Sequence, residues 1–421
     1  MRASDIVITG AGAASPIGLG YKAICQAFRE GRCGIARISA FDASALPVQV
    51  AGEVVGFDPK PYVRPRKALK LMGRESQLGV AATAMAVEHA GVTRDAVDPE
   101  RMGIVLGADR ISGEVWESEP AYRKCIVDGQ FDFSRWYSEG MAVTFPLAFL
   151  KVLPNMIASH VSIAQDARGP NNTIHQGEAS SLLAIAEACR IIQRGAADVM
   201  IAGGASATVK PFDWTIHCVS GWLARGHHDP ATVLRPFDLE RTGQVYGEGA
   251  AVVVLERREH AEARGAKILA QVLGWASAWG PLNGRPGSAS CLQHAIRGAL
   301  DQARLAPSQI GHVNAHGAGG VEEDVIEAQA ISRQLPDVPV TAPKSYFGNL
   351  LAASGAMEML ATLMAFEEGI LPPTLNYQRP DPRCPIPVVA GHPARNLRPT
   401  ALLINWTAAG QATTLVVGGA S

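Results

Sequence analysis

The sequence predicts a layered α/β fold, and three observations carry that expectation. Short β-branched runs alternate with helical patterns along all 421 residues. The 43 glycines and the Ala-rich helical stretches suit close packing of helices on strands. The chain is 47% hydrophobic and 18% charged, enough apolar material for one large or two ordinary cores, with no polar tract long enough for a disordered tail.

Taken in order, the first strand is Ile6-Val7-Ile8-Thr9, running into the Gly-rich turn GAGAAS. A dinucleotide fingerprint is rejected there: the spacing is not G-x-G-x-x-G, and no acidic residue closes a following strand at the expected distance. A helix is expected over 75–90 and a strand at GIVLG near 103. Residues 108–165 are rich in aromatics without a clean period and read as an inserted subdomain that covers the core, lines a pocket or contacts another subunit. A short strand, Asn172 to His175, leads into a helix over 178–194 that stops at Gly195, followed by strands at DVMIAGG near 198 and AAVVVLE near 250. The charged stretch 255–267 reads as a strand-free link. Beyond it come strands near 268, 312, 338, 401 and 413, with helices over 291–304, 321–334 and 354–368. The expected organisation is therefore two halves of similar design, residues 1–256 and 268–421.

Composition excludes several function classes. Thirty-eight basic against 39 acidic residues leave a net charge of -1, which argues against sequence-independent nucleic-acid binding. Seven scattered cysteines, an odd number with no CxxC pair, indicate neither a zinc site nor a disulfide framework and suit a reducing cytoplasm. No apolar run approaches the roughly 20 residues of a membrane span. Asp5 interrupts the only candidate leader segment. No metal or cofactor is expected.

The stretch RGPNNTIHQGEASS (168–181) reads as a strand–turn–helix elbow that presents Glu178 at a helix N-terminus, where the macrodipole and free N–H groups favour negative charge. Enzymes place a Cys thiolate at such positions, whereas a first-turn Glu is also ordinary capping chemistry. The helix-terminal setting is expected to keep this carboxyl ionised. Ser180 and Ser181 lie inside the helix with no identifiable base. Three further stretches stand in comparable positions. VNAHGAGGVEED holds His316 in a Gly-rich loop between strand and helix, PKSYFGNLLAASG holds Lys344 and Asn349, and RPFDLERTGQVYGEG holds Arg235, Asp238 and Glu248 ahead of a buried strand.

In content and order these motifs, together with Phe41-Asp42, Pro154-Asn155-Met156, Gly169-Pro170 and Gly203-Gly204, resemble a β-ketoacyl synthase of the thiolase-like superfamily, from Ile6 to Val417. The resemblance implies a five-layered αβαβα core, an acyl carrier protein as partner, and a catalytic set of one cysteine, two histidines and a lysine. The cysteine position falls on Glu178, the first histidine on His316, the lysine on Lys344 and the second histidine on Asn349. A carboxylate is a poor carrier of an acyl group beside a thiolate, and an amide cannot exchange a proton near pH 7. The family's HGTGT loop reads with Ala318 and Gly320 in place of its threonines, and Ala408 replaces the phenylalanine that gates the acyl site. Framework residues Asp324 and Glu327 remain.

A preserved frame with a dismantled acyl-transfer site resembles the chain-length-factor subunits that pair with an active ketosynthase, although those usually carry Gln where Glu178 stands. Two alternatives stay open: a malonyl-carrier decarboxylase, and a homodimeric enzyme of altered chemistry with Glu178 as general base and His316 as acid or oxyanion donor. The basic stretch 60–77, with Arg64, Arg66, Lys67, Lys70 and Arg74, reads either as a solvated helix start or as a docking surface for an acidic carrier protein.

Overall fold

In the computed structural model, residues 5–93, 95–225, 229–280 and 289–420 are described. The core elements, numbered in chain order, are β1 (Ile6–Ser15), α1 (Tyr21–Glu30), α2 (Arg74–Ala90), β2 (Met102–Ala108), α3 (Val115–Lys124), α4 (Met156–Gln165), β3 (Asn171–Ile174), α5 (Ser180–Gln193), β4 (Val199–Ala207), α6 (Pro211–Ser220) and β5 (Glu248–Arg257). There follow β6 (Ala270–Trp279), α7 (Ala289–Ala303), β7 (His312–Asn314), α8 (Glu323–Gln334), β8 (Val340–Thr341), α9 (Ser354–Glu368), β9 (Thr400–Trp406) and β10 (Gln411–Gly419).

The strands lie in the order β8-β7-β9-β10-β6-β1-β5-β4-β2-β3. Each half has the same arrangement. The first strand of a half pairs antiparallel with its last, the last pairs antiparallel with the fourth, and the second and third continue parallel to the outer edge. The halves meet through β1 and β6, where Val7 faces Gln271 and Ile8 faces Ala270.

Layering follows from burial. α2 and α4 cover one outer face with Leu78, Ala82, Ile157 and Val161, and α7 and α8 cover the other with Leu292, Ile296, Ala328 and Ile331. Between the two halves of the sheet lie α5 and α9, which share one core with both. α9 is buried without a break from Ser354 to Met364, the pattern of a helix that has no solvent face. The result is the five-layered αβαβα core of the thiolase-like fold.

Two expectations are corrected. GAGAAS is not a turn: β1 continues through it to Ser15, fully buried. Its glycines serve packing, since a Cβ at Gly10 would lie 2.5 Å from the Ala86 carbonyl oxygen and one at Gly12 2.4 Å from that of Ala82, both on α2. The stretch 255–267 is not strand-free: Leu255, Glu256 and Arg257 complete β5 opposite Ile8, Val7 and Ile6. Glu256 is buried inside the sheet because its charge is compensated, accepting from Thr9, His260 and Arg264. Helices α1, α3, α4 and α6 lie outside the helical stretches that the sequence predicts.

The subdomain inside 108–165 is built from α3, the small hairpin Ile126–Val127/Gln130–Phe131 and short helical turns. Tyr122, Phe131 and Trp136 cluster with ring centroids 5.4–6.3 Å apart. Even so, Trp116, Phe133 and Tyr137 remain 61%, 75% and 89% exposed. Beside it, β3 is the edge of the sheet, with Asn171 and Asn172 exposed.

Candidate functional site

The elbow forms because Gly177 adopts φ +49° between β3 and a 3-10 turn, Gly177–Ala179, that precedes α5. The α-helix thus starts at Ser180, two residues later than the sequence suggested. Ser180 Oγ accepts from the Gln176 N–H at 2.8 Å, and Ser181 Oγ accepts from the Ala356 N–H at 3.1 Å. Both serines are fully buried and occupied in holding the elbow. Glu178 stands half-buried at the turn. Burial pushes its carboxyl up from the ordinary range, and the negative charge of Asp109 adds to this. The elbow backbone N–H, Lys344 and Asn349 pull the other way without prevailing. The expected effect of the helix terminus is therefore present but outweighed by desolvation.

Opposite the elbow, the loop after β7 carries His316. Glu327 fixes this loop from below, its two oxygens accepting from the N–H groups of His316 (2.7 Å) and Gly317 (2.8 Å). Asp324 does the same for Gly319 and Phe237. Burial pushes the Glu327 and Asp324 carboxyls up to about 8 and about 7. Lys344, fully buried, donates to the His316 carbonyl oxygen at 2.8 Å and to Glu358 on α9, and lies 3.1 Å from His316 Nδ1. With Nδ1 as acceptor, the ring proton sits on Nε2. Burial, reinforced by the Lys344 charge, holds the imidazole well below its usual range, so it is neutral. Glu358 also accepts from Asn405 at 2.6 Å, and burial pushes its carboxyl up to about 7.

Asn349 is fully committed. Its oxygen accepts from the Leu351 N–H and the Ser354 hydroxyl, both at 3.0 Å, and its amide nitrogen donates to Gln244 at 2.9 Å and to Glu178 at 3.4 Å. These groups surround a cavity of about 400 Å³ whose wall includes Glu178, His316, Gln244, Tyr246, Trp406 and Ala408. Glu178, His316, Lys344 and Asn349 are thus brought together, with Ala408 on the same wall. Ala318 and Gly320 are buried but do not belong to the wall. What Gly320 does is make room: a Cβ there would lie 2.3 Å from the carboxylate of Glu323, which does line the cavity.

Comparison with known proteins gives the family. Residues 3–261 match the model of the β-ketoacyl synthase N-terminal domain, and residues 269–378 match that of the C-terminal domain. The chain belongs to the β-ketoacyl synthase family. It is 33% identical over 396 residues to 3-oxoacyl-[acyl-carrier-protein] synthase 2 of Synechocystis, covering 92% of this chain and 91% of that protein. To the tetracenomycin polyketide synthase ketoacyl synthase alpha subunit of Streptomyces glaucescens it is 35% identical over 393 residues, with coverages of 91% and 90%. Among solved structures, the ishigamide ketosynthase/chain length factor superposes with a TM-score of 0.88 at 28% identity, covering 99% of both chains.

Within this β-ketoacyl synthase frame, the basic stretch divides. Arg64, Arg66, Lys67 and Lys70 are exposed on or just before the short helical turn Arg66–Leu71. Arg74 points inward, its guanidinium paired two-pronged with Glu248 at 2.6 and 2.9 Å and donating to the Val54 carbonyl oxygen at 2.8 Å. It is a framework group rather than a free surface cation. Sequence reasoning missed Glu358, Gln244, Tyr246, Glu323 and Trp222. Only Glu358 left a readable signal, a single charge in the otherwise apolar run Gly355-Ala356-Met357-Glu358-Met359-Leu360. Such a charge buries only with a partner.

Proposed function

We propose that this chain is a non-condensing, chain-length-factor-like subunit that pairs with an active ketosynthase and helps shape its acyl cavity. One observation carries the reading: at the elbow, where the family places its nucleophile, stands a carboxyl, and no cysteine lines the cavity. The two nearby serines are buried as backbone acceptors. Pairing is supported by the bare edge strand β3 and the exposed aromatics beside it, an apolar surface of the kind that subunit interfaces cover. Arg64, Arg66, Lys67 and Lys70 supply a charged surface for an acidic carrier protein, the family's partner. The experiment is co-expression with a ketosynthase of the same organism that keeps the Cys-His-His set, followed by intact-mass analysis after exposure to acyl-carrier donors. The expected result is a one-to-one complex acylated only on the partner. A stoichiometric acyl adduct on this chain would overturn the reading.

A second reading, altered chemistry with Glu178 as general base, is favoured by the upward displacement of its carboxyl beside a neutral His316. The decarboxylase reading draws no support from the site, because Glu178 and Glu323 in the cavity wall oppose the entry of a malonyl carboxylate.

A further inference from the structure

The cavity at the elbow holds hydrogen-bond donors that the described residues leave unspent, and Asn349 shows which they are. Its Oδ1 accepts from the Leu351 backbone N–H, a group that only donates, so the other branch of the side chain is the amide nitrogen. That nitrogen donates to Gln244 at 2.9 Å, which makes the Gln244 atom it meets Oε1. The Gln244 amide nitrogen is therefore turned away from Asn349. It has no partner among the described residues, and it is not one of the sealed polar atoms of the interior. The same holds for the Tyr246 hydroxyl and for His316 Nε2. All three side chains line the cavity, and Gln244, Tyr246 and His316 are only 5%, 7% and 4% exposed. Gln244 and Tyr246 reach the wall together because segment 244–246 is extended, bridged to Leu223 on one side and to Asn349 on the other. Alternate side chains of an extended segment point the same way. Val245 between them turns back into the apolar cluster of Ala224 and Leu234. Burial pushes the Tyr246 phenol up from its ordinary range, so it keeps its proton.

A saturated acyl thioester brings one carbonyl oxygen to these three donors. The remaining two lose water to its chain and gain no hydrogen bond in return. An acyl group with an oxo oxygen on its chain brings a second acceptor. A carboxylate is a poorer match, because the described part of the wall carries the carboxyl groups of Glu178 and Glu323 and the imidazoles of His175 and His316, with no lysine or arginine among them. We propose that Gln244 and Tyr246 are specificity-determining residues of this cavity, which donate to the chain oxygen of an oxoacyl group and so select it over a saturated acyl group of the same length. The inference goes beyond the pairing reading, since it concerns this chain's own cavity with or without a partner ketosynthase.

The test is calorimetric titration of the purified full-length chain at pH 7 with two matched, uncharged thioesters. S-acetoacetyl-N-acetylcysteamine carries the oxo oxygen, and S-butyryl-N-acetylcysteamine has a methylene in its place. The acetoacetyl thioester should bind about tenfold more tightly, the gain expected of one or two hydrogen bonds in a wet cavity. Tyr246→Phe, which removes a single oxygen, should lose part of that preference while binding the butyryl thioester as the wild type does. Gln244→Leu should lose part of it as well. That change also strips Asn349 of an acceptor, so where its melting temperature falls, Tyr246→Phe alone decides. Equal binding of the two thioesters, no binding of the acetoacetyl thioester, or an undiminished preference in Tyr246→Phe would overturn the proposal. No partner subunit is present in the titration, so its failure leaves the pairing reading standing.

Discussion

The two walls of the cavity are built on opposite principles. On the His316 side the charged groups behind the loop are bonded more than once: Glu327 holds the loop by two backbone N–H groups, and Lys344 ties His316 to Glu358, which Asn405 secures in turn. On the elbow side, Glu178 has a single side-chain partner among the described residues, the amide of Asn349 at 3.4 Å. The first wall is a closed network in which removing one member strands another. The second is a half-open position that tolerates exchange. Under the proposed reading, in which Glu178 stands at the family's nucleophile position, this difference lets the elbow side chain change while the fold and the histidine loop stay in place.

The harshest way to break this contrast is Lys344→Met. It leaves Glu358 buried without its counter-charge, and the loss should reach about 3–5 kcal/mol of unfolding free energy at pH 8. Chemical denaturation should show that loss shrinking as pH falls, because Glu358, already pushed up to about 7 with Lys344 beside it, is displaced further upward once Lys344 is gone and takes a proton. A loss under about 1 kcal/mol at pH 8 would mean that the network carries little.

A smaller effect comes from pH itself. Burial holds His312 down to about 3 and His316 well below 6.5, so the unfolded chain takes up protons below pH 6.5 that the folded chain does not. Their stabilising contribution is therefore complete above pH 6.5 and falls as pH drops, by roughly 1.4 kcal/mol per pH unit for each histidine. Glu327 and Asp324, pushed upward, act in the opposite sense, favouring the folded state as pH falls through about 8 and about 7. The comparison of wild type with His312→Asn isolates one histidine: between pH 6.5 and 5 the variant should lose stability less steeply by about that amount. Identical slopes would show that His312 is free to ionise in the folded chain.

The smallest effect belongs to the other wall. Glu178→Gln should change unfolding free energy by less than about 0.5 kcal/mol, and Glu178→Ala by about 0.3–1 kcal/mol through the lost contact at the helix terminus. The chain-length-factor reading expects Glu178→Gln to preserve the product yield of the paired ketosynthase. A hundredfold fall in turnover with unchanged melting would make Glu178 a general base and this chain an enzyme in its own right.

The sequence showed the fold through period and order. Val252 to Leu255, Ile104 to Leu106 and Leu415 to Val417 are unbroken apolar runs of the kind that only a strand covered on both faces carries. It showed the elbow and the His316 loop because both are local: glycine, turn and helix start lie within a few residues. What stayed hidden is what comes from afar. Gln244 and Tyr246 reach the cavity because the segment before β5 runs beside Asn349, a bridge across more than a hundred residues. Likewise, GAGAAS reads locally as a turn, and only the approach of α2 explains why its glycines belong to a strand. Arg74 reads as one cation in a basic run, and only its meeting with Glu248 takes it out of that run.

The position of β1 has a consequence in time. This first strand lies at the middle of the sheet, between β5 and β6; apart from a local pairing of Ala14 and Ser15 with Leu19 and Gly18, its register partners lie between Ala250 and Gln271. At roughly 5–20 residues per second of synthesis, Ile6-Val7-Ile8 wait on the order of ten to fifty seconds for any partner to leave the ribosome. During that interval the most apolar stretch of the N-terminus has neither neighbour in place. A chain built this way folds late and over long sequence separations, and its yield in a cell depends on what shelters those residues while the other half of the sheet is still being made.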